Sequence, residues 1–351
     1  FVTAQHLGEF SGDGTIADGT YLHARAILGA VSLLGAASAG VVQVNVDADA
    51  TVDIDNSVVM AGVSTDPDSK AHSIEVSAKR DGIVSADLVN ISVGLGAGAV
   101  GTTFATANLT GELGVTMNAG GGNGRLGATS DVTIEVEDAT FANASAVGAS
   151  GGILSGNGVD VDASNILAGT ASLTGLTSIT GRDVSVLNNS KARSKADGLG
   201  VSVGALSVGA TLVGSKLKTD LETDLSADTV TASRDLTVRS EILAPDTDTH
   251  SSQSYASSSA GGLISGNGAE ATTTFDYDIA TTVGGKLTGD KVTIESKSSG
   301  TADVDADGNQ GGLLAIGAVV TKVTAPRATA LVTLERGTEI IGGSAINLRA
   351  I

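Results

Sequence analysis

The residues best placed to do chemistry in this chain are three aspartates at alternate positions, Asp303, Asp305 and Asp307, which Gly308 follows. This spacing resembles the first half of a calcium-binding loop, where oxygen ligands stand at every second position. The bidentate glutamate of such a loop is missing, because Leu314 stands at its twelfth position. We therefore treat Asp303, Asp305 and Asp307 as a candidate calcium site, with a solvated acidic turn as the alternative.

Motifs of nucleophilic catalysis and nucleotide binding also occur. Gly-x-Ser-x-Gly stands at 148–152 and at 200–204, and a Gly-x-Gly-x-x-Gly stretch begins at Gly96. The first motif needs a following helix and a partner histidine, and the second needs a helix whose N-terminus holds pyrophosphate. No helical spacing follows any of the three. In a chain with 48 glycines such matches arise by chance, so we expect no catalytic residue, no cofactor-binding residue and no enzyme activity.

Acidic side chains form two further rows, the first with Asp47, Asp49, Asp53 and Asp55 and the second with Asp160 and Asp162. Cations could bridge such carboxylates, but we interpret both rows as solvated faces. The formal net charge is −19. Nucleic acids and anionic membrane surfaces need an excess of Lys and Arg, so this charge argues against both as partners.

The elements that must position these residues are strands. Between residues 42 and 54 apolar side chains occupy every even position and polar side chains the odd ones, and residues 216–225 and 269–279 alternate in the same way. Alternation with period two is typical of a strand with one buried face. Proline cannot donate to a sheet ladder, and there are only three prolines.

The chain is internally repetitive. The octapeptide GGILSGNG at 151–158 returns as GGLISGNG at 261–268, and short apolar segments recur at intervals of 50 to 60 residues. Repetition of this kind predicts a stacked array. We expect one continuous segment of about six units of about 54 residues, itself part of a longer protein, with boundaries at 1–22, 23–76, 77–136, 137–186, 187–238, 239–294 and 295–348.

Stacked units of short strands and glycine-rich corners predict an all-β parallel β-helix, or β-solenoid, of right-handed sense. A unit of this length exceeds one coil of a typical β-helix, so we expect two or three coils per unit. A row of β-sandwich domains is the alternative. A membrane barrel would need aromatic girdles, and aromatic residues make up only 2% of the chain. The longest apolar run is too short and too broken for a membrane helix.

The cadence of residues 259–320, SAGGLISGNGAEATT followed by GGKLTGDKVTIESKSSGTADVDADGNQGGLLAIGAVV, resembles that of large bacterial filamentous adhesins of the leukotoxin and filamentous-haemagglutinin type. This resemblance implies an extended β-helix on the bacterial cell surface, secreted through an outer-membrane partner. It also implies a stiff fibre that attaches to host or neighbouring cells.

Two other functions stay open at the sequence level. One is a self-assembling filament, sheath or surface-layer fibre, in which the chain's partners are its own copies. Adjoining leucines and isoleucines at 261–264 and 311–316 cannot all face inward, and exposed apolar stripes there would favour this function. The other is a β-helix enzyme that degrades polysaccharides.

Overall fold

The computed structural model describes residues 2–6, 20–55, 57–61, 72–120, 124–245 and 250–351. In these residues the chain is all-β and contains no helix, hence none long and apolar enough to cross a membrane. The strands are β1 Val2–His6, β2 Thr20–Ser32, β3 Ala36–Asp47, β4 Ala50–Asp55, β5 Val58–Ala61, β6 Ile74–Asn118, β7 Arg125–Ala128, β8 Val132–Gly181, β9 Val184–Ser190, β10 Arg193–Val203, β11 Leu206–Ala232, β12 Asp235–Ile242, β13 Ser252–Gly261, β14 Ile264–Ser298, β15 Ala302–Gly311, β16 Leu314–Thr324, β17 Ala328–Leu334 and β18 Glu339–Ala350.

All these strands belong to one sheet, and every pairing between them is parallel. The predicted all-β class and the predicted parallel pairing are therefore confirmed. The first predicted unit, 1–22, lies mostly outside the described residues.

Pairing follows the repeat. Ala142 pairs with Ser194 and Ser194 pairs with Ser252, so the partners stand 52 and 58 residues apart. Each repeat thus contributes one layer of the sheet, and the expectation of two or three coils per repeat is wrong. The reason is that a single layer is much longer than usual. We call each layer a rung, and the described residues contain six rungs whose outermost turns lie at 32–36, 94–98, 151–154, 203–206, 261–264 and 311–314.

Each rung folds back on itself. Strand β8 has 50 residues, which would span roughly 165 Å if it were straight. Instead, the Asn157 side chain donates a 2.8 Å hydrogen bond to the carbonyl oxygen of Gly148, across the interior. The two halves of β8 on either side of Gly151–Leu154 therefore face each other. We call this two-layered part of every rung the arm, and its turn the arm end.

The rest of each rung forms a wider part, the wide body, which encloses the larger of two hydrophobic cores. Within β8 and β9 this core contains Leu167, Leu173, Ile179 and Val184, all at most 1% exposed. Leu173, Ile179 and Val184 pair with Leu225, Val230 and Leu236 of the next rung, whereas Leu167 pairs with Thr219. Burial of such a side chain contributes roughly 1.5–3 kcal/mol, so the wide body carries most of the stabilisation.

The arm has its own, thinner core, in which alanine and valine dominate. Ala144 and Val161 from opposite sides of β8 belong to it, together with Ala196 and Val213 of the next rung. Between the two cores lies a buried ion pair, in which Arg80 Nε donates to Asp138 Oδ1 at 2.8 Å. Thr140 donates to the second carboxylate oxygen of Asp138 at 3.2 Å.

One corner of the wide body carries a ladder of exposed ion pairs. Arg182 pairs with Asp131 of the preceding rung at 2.8 Å. One rung later Arg234 Nε donates to Asp183 Oδ1 at 2.8 Å, and the Arg234 terminal nitrogen also contacts Asp183. The arginine–aspartate dipeptides of the sequence thus link one rung to the next at a turn.

Candidate interaction surfaces

The three predicted calcium ligands lie in β15, with their side chains on the outer face of the arm. Asp303 accepts a 3.1 Å hydrogen bond from Gln253, and Asp307 accepts one of 3.1 Å from the Tyr255 hydroxyl. Alternate residues of a strand stand about 6.6 Å apart. The structure therefore sets the three carboxylates in a row, and no group of three or more acidic or histidine side chains in the described residues could hold one metal ion.

Asp303 and Asp305 border a shallow, open depression of about 470 Å³ on this face. Lys195, Asp197 and Tyr255 from the two preceding rungs also line it. Lys195 and Asp197 form an ion pair at 2.7 Å. The depression is lined by positively and negatively charged side chains and by an aromatic ring. This combination could make weak hydrogen bonds and ring contacts with a polar ligand such as a sugar.

The second acidic row, Asp160 and Asp162, stands on the opposite outer face of the arm. In the sheet Asp160 pairs with Phe104 on one side and with Leu212 on the other. Burial raises the pKa of Asp160 above its ordinary value, and burial together with the charge of Asp160 raises the pKa of Asp162. Of the first row, Asp47 accepts a 2.9 Å hydrogen bond from Thr110, and Asp49 accepts one of 2.6 Å from the Glu112 backbone.

The serines of both Gly-x-Ser-x-Gly stretches point into the arm. Ser150 and Ser202 are at most 5% exposed, and their hydroxyl oxygens lie 3.3 Å apart in neighbouring rungs. Ser155 reaches Ser202 from the other side of the arm at 2.9 Å. A nucleophile must be exposed beside a base, whereas these hydroxyl groups bridge the two sides of the interior. The glycine-rich stretch at Gly96 forms the irregular turn of its rung.

The repeated octapeptide has a structural role in the interior of the arm. Its asparagine is buried in both copies, and Asn267 donates to the carbonyl oxygen of Ser258 at 2.7 Å and to that of Asn309 at 2.8 Å. Asn157 makes the equivalent bond to Gly148 two rungs earlier. The octapeptide therefore fastens the two sides of the arm together just behind its end.

Large apolar side chains face outward at the arm end. In the four rungs that have neighbours on both sides they are 42–65% exposed. They form a continuous row, because Leu154, Leu206 and Ile264 pair in register through the sheet. We call this row the tip ridge; its residues are Leu95, Ile153, Leu154, Val203, Leu206, Leu263 and Ile264.

The predicted stripes at 261–264 and 311–316 lie on this surface. Leu263 is 59% exposed and Ile264 is 48% exposed, so the expectation that the apolar residues of 261–264 do not all face inward is confirmed. Residues 314–316 pair with the first positions of β14 in register, at the last rung of the stack. The ridge as a whole was missed at the sequence level. A signal existed, because every arm end lies in a stretch without Asp, Glu, Lys or Arg, namely 26–46, 88–111, 139–159, 198–215, 251–269 and 308–321.

A second column beside the ridge alternates between large and small residues. Val100, Gly156, Val208, Gly266 and Ile316 follow one another in register from rung to rung. Val100 and Val208 are 55% and 57% exposed. The outer surface next to the ridge thus repeats a protrusion and a depression every second rung.

No protein-family model, curated protein or solved structure matches the chain. The geometry described above therefore carries the functional argument by itself.

Proposed function

We propose that the chain is a load-bearing length of a giant extracellular filament, a filamentous adhesin of the bacterial cell surface that gives a stiff fibre for attachment. In this proposal the single parallel sheet winds as a right-handed β-solenoid of about six coils, one coil per repeat. The observation that carries the proposal is the parallel pairing that continues from rung to rung, in which the register shifts only locally, as at Gly94–Gly98 and Gly289–Lys291.

Such a ladder suits a mechanical role, because each coil adds about 4.8 Å of length and dozens of backbone hydrogen bonds lie along the fibre axis. The adhesive contact would be made on the outer faces of the arm, where the depression around Tyr255 offers polar groups. Contacts of this kind are weak singly and gain strength through repetition along a longer fibre. An outer-membrane secretion partner belongs to the same proposal.

Single-molecule force spectroscopy tests the load-bearing role. When the two ends of the chain are pulled apart, we expect stepwise unravelling, with about 18–19 nm of contour length released per coil of about 54 residues. Such steps would support coils that open one after another. A chain that extends smoothly at low force, without steps, would contradict a load-bearing rod.

The location is tested separately on the producing cells. We expect antibodies against the chain to label intact cells as strongly as permeabilised ones. Labelling confined to permeabilised cells would contradict an extracellular filament. Loss of attachment to host or neighbouring cells after deletion of this segment would favour the adhesin over a filament or sheath without an adhesive role.

A further inference from the structure

We propose that the tip ridge is an interface between two copies of this chain, which lie side by side and meet arm end to arm end. This inference goes beyond the proposed function, because a solenoid can bear load as a single chain. Its starting point is the reversed polarity of the arm end, where Ser202 and Asn267 are buried while Leu206 and Ile264 are exposed. Contiguous apolar surface of this kind marks a contact surface in soluble proteins.

Charge favours a second copy as the occupant. The chain carries a formal net charge of −19, yet none of its charged side chains lies in the stretches that form the arm ends. The outer faces of the arm carry the carboxylates of Asp160, Asp162 and Asp303–Asp307, so two copies that met by these faces would repel each other, whereas the arm ends can meet without repulsion. A lipid surface is less suited, because interfacial anchors are rich in Trp, Lys and Arg; the chain has no Trp and the ridge has no cation.

The alternation of large and small residues beside the ridge also favours a second copy of the chain as the partner. The column Val100, Gly156, Val208, Gly266 repeats every second rung, or about every 9.6 Å. Consider a two-fold axis perpendicular to the rung stack that passes between the rungs of Gly156 and Val208. It brings Val208 of each copy opposite Gly156 of the other, and Val100 opposite Gly266. A second copy is the one partner whose spacing matches by construction, as in isologous interfaces.

The area of the apolar surface at the arm ends determines how tightly two copies are expected to bind. The seven ridge residues lie in four rungs, which span about 15–20 Å along the stack. With the arm ends of the first and last rungs included, the apolar surface is about 25–30 Å long and about 15 Å wide, and it covers roughly 400 Å² on each copy. This is about half of what a standard stable interface buries per partner. We therefore expect reversible dimers of this 351-residue chain, with a Kd in the micromolar range. Each additional rung would extend the same surface.

Sedimentation velocity of the whole chain over a concentration series tests the interface. We expect the wild type to dimerise reversibly, and the double variant Leu206→Glu/Leu263→Glu to bind at least about tenfold more weakly. Ile83→Glu is the matched control, because Ile83 is also exposed but lies on an arm strand far from the ridge. Its dimerisation should equal that of the wild type, and circular dichroism should show all variants folded.

A second variant separates specific fit from general stickiness. A Cβ at Gly156 would meet nothing nearer than 3.9 Å, and one at Gly266 nothing nearer than 3.7 Å, so Gly156→Val/Gly266→Val should fold normally. It adds apolar surface but fills the depressions. Weaker dimerisation than in the wild type would support the fitted interface, whereas stronger association would overturn it.

Two further measurements complete the test. The chain has no cysteine, so Leu206→Cys should be joined into dimers by a short bis-maleimide and Ile83→Cys should not. Equal cross-linking of both would overturn the proposal, as would a wild type that stays monomeric at the highest concentration. Flotation of the wild type with phosphatidylcholine vesicles, lost in Leu206→Glu/Leu263→Glu, would show that lipid is the occupant instead.

Discussion

The wide body and the arm end are built from the same alternating strands, but they place their side chains in opposite senses. In the wide body Leu221 and Leu287 are buried while their neighbours Glu222 and Lys286 face the solvent. At the arm end Ser202 and Asn267 are buried while Leu206 and Ile264 face outward. Alternation therefore identifies a strand but leaves open which residue type faces the interior.

The difference follows from space. Several segments of each rung surround the core of the wide body, which leaves room for leucine side chains. Behind the arm end the two sides of one strand come close, and a Cβ on Gly148 would lie 2.6 Å from the Asn157 side chain. Only small residues and hydrogen-bonding residues fit inside, and the larger apolar residues stand outside. We infer that the wide body supplies the stability and the arm end supplies the surface.

The largest expected effect comes from truncating one leucine in each region. Leu236 is fully buried in the wide body, so Leu236→Ala should lower the free energy of unfolding by about 2–5 kcal/mol. Leu263 is 59% exposed on the ridge, so Leu263→Ala should change it by no more than about 0.5 kcal/mol in the monomer. Urea unfolding at low protein concentration measures both, and similar losses in the two variants would contradict the comparison.

Much of the wide body could be predicted from the sequence. The alternation at 216–225 and 50–54 placed the buried faces of β11 and β4 in the wide body correctly, and the alternation at 42–48 did the same for the inner part of the arm in β3, because there the apolar residues share one phase. The all-β class and the parallel pairing followed from repetition. The number of layers per repeat did not, because sequence spacing alone does not show how far the chain runs before it meets its own previous copy.

The arm end was harder to predict, because its glycine, serine, alanine and leucine residues satisfy both phases of the alternation. Adjoining leucines indicated exposure at 261–264, but the buried Asn267 that fixes the phase is recognisable only once Ser258 is known to lie opposite it. The candidate metal site has the same limit. Alternate aspartates such as those of Asp303–Asp307 are compatible with a calcium-binding loop and with one face of a strand. In the structure they lie in strand β15. Calcium binding stays a prediction.

A smaller effect tests the turn of the arm end. A Cβ at Gly262 would overlap the carbonyl oxygen of Gly204 in the preceding rung, whereas one at Gly261 would meet nothing within 4 Å. Gly262→Ala should therefore lower the free energy of unfolding by about 1–3 kcal/mol, because the turn has to shift. It should also loosen the ridge.

Gly261→Ala is the matched control, one residue away. It should be neutral or stabilising by up to about 1 kcal/mol, because alanine restricts the unfolded chain. The previous rung supports this expectation, since Val203 occupies the position that pairs with Gly261. Unfolding curves of the two variants give the answer; if Gly261→Ala were as damaging as Gly262→Ala, close stacking of the turns could not be the reason.

The smallest expected effect comes from removing a charged side chain of the wide body, since the arm end has no charged side chains to remove. Hydrogen bonding from Arg234 lowers the pKa of Asp183 below its ordinary value, and the Asp235 backbone and the charges of Arg234 and Arg182 act in the same direction. Burial opposes them. A carboxylate with a lowered folded-state pKa stabilises the fold above its unfolded pKa of about 3.9, and this contribution is lost as the pH falls through the folded value.

Asp183→Asn should therefore be less stable than the wild type at pH 7, and the gap should close as the pH falls from about 5 to below the folded pKa. Because the Arg234 side chain is 59% exposed and screened by solvent, the gap should stay below about 1 kcal/mol and shrink further in high salt. The arm-end variant Leu263→Ala provides the contrast, since no Asp, Glu, His, Lys or Arg lies in its stretch and its difference from the wild type should not change between pH 7 and pH 2. Thermal melts of the three proteins from pH 7 to pH 2 decide the matter. A gap for Asp183→Asn that is independent of pH would show that the corner pair acts through packing, and the electrostatic contrast between the wide body and the arm end would then have no energetic consequence at this site.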